Sequence, residues 1–245
     1  MNTARFRPAQ STRTLLLAAL LSITAGPALS ADAVTDALQQ AYVPYRAALF
    51  RTNSKAQPES EQAIAATRKA LAGVTAQWAA RPGVPYDRDP GFATTLKQVD
   101  EVYARAQAQI GQTDLAGAHE TLEAARDLLA ELRQRNGVVV YSDHMNAYHE
   151  VMEHVLKDGP KLAGEPGGLL KLAGPVGTLD YLAGRLDTQA DPALKANTEF
   201  SRMAAAVRAS VTALQEAVQR QDAAAVREAL QGLKKPYSQM FLKFG

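Results

Sequence analysis

Apolar residues recur every three or four positions along most of this chain, which is the spacing of one face of an α-helix. Short stretches rich in Gly, Pro, Asn and Asp separate these segments, and only one run, Val138–Tyr141, resembles a strand. The pattern predicts an all-α protein: an antiparallel helical bundle of about six to eight helices, built from helical hairpins.

The helix boundaries follow from capping residues and from Gly, Asn and Pro stop signals. Aspartates at positions 114 and 222 are placed to cap two of the helices, and Ser142 is placed to cap the fifth. Residues 159–177 hold six glycines and three prolines, so we expect a loop there, where the domain could divide. The predicted helices cover residues 33–52, 59–80, 92–110, 114–135, 143–157, 179–186, 193–219 and 222–244.

The first 30 residues have the pattern of a cleaved secretory signal peptide. Three arginines precede a short apolar run, and Ala28-Leu29-Ser30 supplies small residues for cleavage after Ser30. We therefore expect a periplasmic protein whose mature part, residues 31–245, is a single helical-bundle domain. That part has no second apolar run of about 18 residues, so we expect no stable membrane insertion after cleavage.

Charge and cysteine content narrow the possible functions. Three of the 27 Lys and Arg residues fall in the leader and none of the 25 Asp and Glu residues does, so the mature part is close to neutral. A near-neutral domain lacks the basic surface on which general nucleic-acid binding depends. The chain has no cysteine, which excludes disulfides and the attachment of c-type haem.

Three of the four histidines fall within residues 144–154, on the fifth predicted helix. Imidazole, thioether and carboxylate are the usual side-chain ligands for transition metals when thiolate is absent. On a helical wheel His149 lies at the edge of the apolar arc, with Glu153 one turn further, whereas His144 and Met145 lie inside the arc. This segment is therefore the strongest candidate for a metal site.

The remaining histidine repeats the same spacing on the fourth predicted helix. His119 stands four residues before Glu123 and also lies at an edge of its apolar stripe. Two adjacent helices that each offer a His and a Glu can close a metal site between them. The candidate metal ligands are His149, Glu153, His119 and Glu123, with His144 and Met145 as accessory ligands.

Two hypotheses follow from this pattern. The first is a non-catalytic protein for storage, delivery or electron transfer, which binds iron, copper or zinc, or else non-covalent haem b. The second is a helical interaction or structural module of the cell envelope, with an envelope protein as partner and no cofactor. Neither hypothesis fixes the oligomeric state. A metalloprotease motif is broken, because Glu153 stands where His-Glu-x-x-His requires its second histidine.

Overall fold

Nine α-helices follow one another along residues 32–245, the part that this computed structural model describes together with Met1. Within that part there is no strand, and residues 32–245 form one compact unit. The predicted all-α helical bundle is therefore confirmed for these residues. The predicted signal peptide, residues 1–30, lies outside the described residues apart from Met1.

The long helices agree with the predicted ones in order and, except around residues 159–186, in extent. The count rises to nine because a five-residue helix separates from the start of the next one at Asn197, whose side chain caps the longer helix. The helices are α1 (Ala33–Asn53), α2 (Gln57–Trp78), α3 (Phe92–Gly111), α4 (Leu115–Arg135), α5 (Tyr141–Leu162), α6 (Gly168–Thr188), α7 (Pro192–Ala196), α8 (Thr198–Gln219) and α9 (Ala223–Phe244).

Two hairpins turn in the same way. Asp114 caps α4 by accepting the N–H of Gly117, and Asp222 caps α9 by accepting the N–H groups of Ala224 and Ala225. The residues just before these caps, Thr113 and Gln221, both have positive φ angles, 62° and 55°. Both predicted aspartate caps are therefore confirmed, in turns of matching geometry.

The predictions for the start of α5 are wrong. Val138–Tyr141 forms no strand: Val140 is the N-cap of α5 and Tyr141 its first residue. The polar partner of the cap is Asp143 and not Ser142, because the carboxylate of Asp143 accepts the N–H of Val140 at 3.0 Å. Val140 has the extended backbone of an N-cap but no side-chain acceptor, so only the reciprocal half of a capping box forms, from the N–H of Val140 to Asp143.

The predicted loop over residues 159–177 is also wrong. α5 runs through Gly159 and Pro160 to Leu162, and α6 begins at Gly168, so only residues 163–167 connect the two helices. Gly159 serves packing here, because a Cβ at this position would lie 2.8 Å from the side chain of Leu230 on α9. The segment in which the sequence allows a domain division is therefore mostly helical.

Four helices meet at the centre of the bundle. α1 packs against α2, α4 and α9, while α5 packs against α6 and α9. α4 and α5 are consecutive in sequence but pack little against each other, and a polar groove separates them. Within residues 32–245 no helix combines the length and hydrophobicity that crossing a bilayer requires.

Candidate metal site

A small cleft opens where α1, α4, α5 and α9 meet, and it encloses about 40 Å³. This volume admits an ion or a few water molecules, and it lies well below the roughly 300–1,000 Å³ of pockets that hold organic ligands. The polar lining comes from His119, Glu123, Arg126, His149, Lys234, Asn53 and Ser238, and the apolar lining from Leu49, Phe50, Tyr237 and Phe241.

One predicted His–Glu pair and the histidine of the other line this cleft. His119 and Glu123 come from α4, His149 comes from α5, and Glu153 lies one helical turn beyond His149. Each histidine lies at the edge of its apolar stripe, with 25% of the His119 side chain and 14% of the His149 side chain exposed. Both histidines line the cleft as predicted, but α4 and α5 pack little against each other, so a shared site between the two helices stays a prediction.

The contacts of His119 favour a proton on Nδ1, which faces the Leu49 carbonyl and, at 3.4 Å, the Thr52 hydroxyl. Nδ1 lies 3.2 Å from the carbonyl oxygen of Leu49, which can only accept a hydrogen bond. Burial lowers the pKa of His119, against the opposing field of Glu123, so the ring is neutral near pH 7. In the tautomer with the proton on Nδ1, the neutral ring leaves the lone pair of Nε2 free.

That free lone pair faces a second acceptor. Nε2 of His119 lies 3.6 Å from Oε1 of Glu123, with no proton to share between the two atoms. Two ligands that each stand 2.0–2.2 Å from a tetrahedral metal ion lie about 3.4 Å apart. The separation in the structure is close to that value, and a cation between the two atoms would satisfy both. The geometry is that of a chelating pair.

His149 is held differently, by groups on both of its nitrogens. Arg126 donates a hydrogen bond to Nδ1 at 2.7 Å, so the ring proton lies on Nε2, which faces Oε1 of Glu153 at 3.5 Å. The imidazole stacks on Tyr237, with 5.3 Å between ring centroids, and the Tyr237 hydroxyl donates to the carbonyl oxygen of Met145 at 3.2 Å. His149 is thus held in place from three sides.

Two cations balance the two carboxylates of the site. Arg126 pairs with Glu123, and Nζ of Lys234 lies 3.0 Å from Oε1 of Glu153. The hydrogen bond from His149 and the ammonium of Lys234 hold the pKa of Glu153 low, at about 2. The formal charges of the two carboxylates and of the two cations cancel in this cleft.

The two accessory ligands lie outside the cleft. Met145 is fully buried in the core, and its backbone carbonyl, not its thioether, contributes by binding Tyr237. His144 is half-buried on another side of α5; burial and the nearby charge of Arg185 lower its pKa. Three of the six predicted ligands, His119, Glu123 and His149, therefore line the cleft, Glu153 lies one turn from His149, and His144 and Met145 lie apart from them.

Three residues of the cleft were not predicted from the sequence: Arg126, Lys234 and Tyr237. Arg126 had a local signal, because it follows Glu123 by three residues and so shares its helix face. Tyr237 and Lys234 lie on α9 and reach the site only through tertiary packing. Within residues 32–245 no three His, Asp or Glu side chains already surround one point as metal ligands do. The site consists instead of two His–Glu pairs with Arg126 and Lys234 beside them.

No protein-family model, curated protein or solved structure matches this chain. The functional argument therefore rests on the geometry of the cleft.

Proposed function

We propose that this protein binds one divalent transition-metal ion in the cleft and acts in storage or delivery of that ion, not in catalysis. The observation that carries the proposal is the orientation of His119. Its neutral imidazole directs a free lone pair at a carboxylate oxygen of Glu123, 3.6 Å away. A metal ion is the species that two facing acceptors at this spacing would share.

The two residues of this pair provide the first two ligands. His149 and Glu153 would complete a four-coordinate shell, for which the ring proton of His149 must move from Nε2 to Nδ1 and the hydrogen bond from Arg126 to Nδ1 must break. The contact between Nδ1 of His119 and the carbonyl of Leu49 is the outer hydrogen bond that metal-binding histidines usually make. Two imidazoles and two carboxylates suit zinc or iron.

The cleft supports an ion better than the other cofactors that the sequence allows. Its enclosed volume of about 40 Å³ is too small for a haem group. The thioether of Met145 lies elsewhere in the core, which removes the soft ligand that favours copper. Export through the basic and apolar N-terminal segment, and transfer of the ion to an envelope partner, are part of this proposal.

The test is a titration with Co²⁺, whose visible spectrum reports its coordination. The full chain is expressed in an exporting host without a histidine tag, and the purified protein is compared with His119→Ala. His154→Ala is the matched control, because His154 is the exposed histidine of the same cluster on α5. We expect one equivalent of tetrahedral Co²⁺ in the wild type and in His154→Ala, and loss of stoichiometric binding in His119→Ala.

Two results would overturn the proposal. One is a wild-type protein that stays colourless with excess Co²⁺ and keeps the same melting temperature. The other is equal binding by His119→Ala and the wild type. The first result would favour the alternative from the sequence, a helical interaction module of the cell envelope, in which the histidines only hydrogen-bond and pack.

A further inference from the structure

Lys234 lines the cleft and contacts Glu153. Its Nζ is 3.0 Å from Oε1 of Glu153, and that same oxygen faces Nε2 of His149 at 3.5 Å. Lys234 also lines the cleft together with His119. The ammonium group therefore holds the same oxygen of Glu153 that a metal ion bound with His149 would use.

The two cations of the cleft differ in how easily they can leave. Arg126 is mostly buried, with 15% of its side chain exposed, and it is held by Glu123, Asp127 and His149. Lys234 makes one ion pair, and 42% of its side chain is exposed. A lysine ammonium on a flexible four-carbon stem can move into water at little cost. Lys234 is therefore the cation that an incoming metal ion can displace.

We propose that Lys234 is a tethered counter-cation that holds Glu153 while the site is empty and must withdraw when the metal ion binds. This inference rests on the proposed metal-binding function and adds a residue that sets the affinity of the site. Lys234 keeps the empty cleft neutral, and its repulsion of a divalent ion weakens binding. Weak binding with ready release suits a protein that passes its ion on.

The structure also predicts the size of the effect. An ammonium and a divalent ion about 5 Å apart in a water-screened site repel each other enough to lower affinity roughly tenfold. Lys234→Met removes the charge and keeps an apolar stem of similar length. Lys234→Arg keeps the charge. Lys235→Met is the matched control, because Lys235 is the exposed neighbour on the same helix.

The experiment measures Co²⁺ affinity for these four proteins at one pH and one ionic strength, with melting temperatures to confirm that each variant is folded. We expect Lys234→Met to bind Co²⁺ roughly tenfold more tightly than the wild type. Lys234→Arg should stay within about threefold of the wild type, and Lys235→Met should match it. If Lys234→Met is unstable, Lys234→Gln tests the same loss of charge.

The other outcomes separate this inference from the proposed function. If the wild type binds Co²⁺ and Lys234→Met binds no more tightly, the role of Lys234 is overturned and the metal site stands. An equal gain in Lys234→Arg and Lys234→Met would also overturn it, because the effect would then come from shape and not from charge. If none of the four proteins binds Co²⁺, the proposed function fails and this inference fails with it.

Discussion

The ion pair between Arg133 and Asp143 should control how α4 and α5 are placed relative to each other. The guanidinium of Arg133 is buried, with 2% of its side chain exposed, and its Nε contacts both carboxylate oxygens of Asp143 at 3.1 Å. Because α4 and α5 otherwise pack little against each other, this pair is a main link between the helices that carry His119 and His149.

Asp143→Asn removes the charge and keeps the size of the side chain. The asparagine oxygen can still accept the N–H of Val140, so the cap of α5 is preserved. Removing one partner of a buried ion pair costs about 3–5 kcal/mol, because the other charge stays buried and unpaired. Since 23% of the Asp143 side chain is exposed, water can relieve part of this cost, and we expect a loss near the lower end, about 3 kcal/mol.

The assay is urea denaturation followed by far-ultraviolet circular dichroism. The matched control is Asp100→Asn, which breaks a half-exposed pair of the same residue types, Arg68 with Asp100 at 3.3 Å. A surface pair of this kind contributes about 0–1 kcal/mol. A loss in Asp143→Asn no greater than in Asp100→Asn would refute the reasoning, because it would show that Arg133 does not need its charged partner.

Two further predictions concern stability. Because the pKa of Glu153 is lowered to about 2, its contribution to the free energy of unfolding is complete above the ordinary pKa of 4.5 and is lost as the pH falls towards 2. The free energy of unfolding of Glu153→Gln should therefore decline less steeply than that of the wild type over this pH range. Equal slopes for the two proteins would contradict this prediction. Gly159→Ala should destabilise the protein by about 1–3 kcal/mol in thermal melts, because the added Cβ would lie 2.8 Å from the side chain of Leu230. Gly232→Ala lies in open space inside α9 and should stabilise the protein by about 0.5–1 kcal/mol in the same melts. A change of the same sign in both variants would contradict the packing argument.

The sequence predicted most of the fold because helix periodicity and capping are local properties. Asp114 and Asp222 indicate where α4 and α9 begin without any tertiary information. The loop predicted over residues 159–177 was wrong for a tertiary reason. Gly159 resembles a helix stop in the sequence, but in the structure it lies inside α5 and allows Leu230 of α9 to pack closely. Composition alone cannot distinguish a glycine that ends a helix from one that lets another helix approach.

The candidate site was predictable only in part, for the same reason. The spacing of four residues between each His and Glu is local and survives in the structure. The carbonyl of Leu49, which favours a proton on Nδ1 of His119, lies 70 residues away from it along the chain, and Lys234 lies on the last helix. No short-range pattern joins these groups, so the tautomer and the charge balance of the cleft could be found only from the folded structure.

The most direct test of the central claim is zinc X-ray absorption on the full exported chain loaded with one equivalent of Zn²⁺. We predict a shell of nitrogen and oxygen ligands at about 2.0–2.1 Å that includes the scattering pattern of imidazole and loses it in His119→Ala. A shell of oxygen alone, or an imidazole pattern that His119→Ala leaves unchanged, would contradict the account.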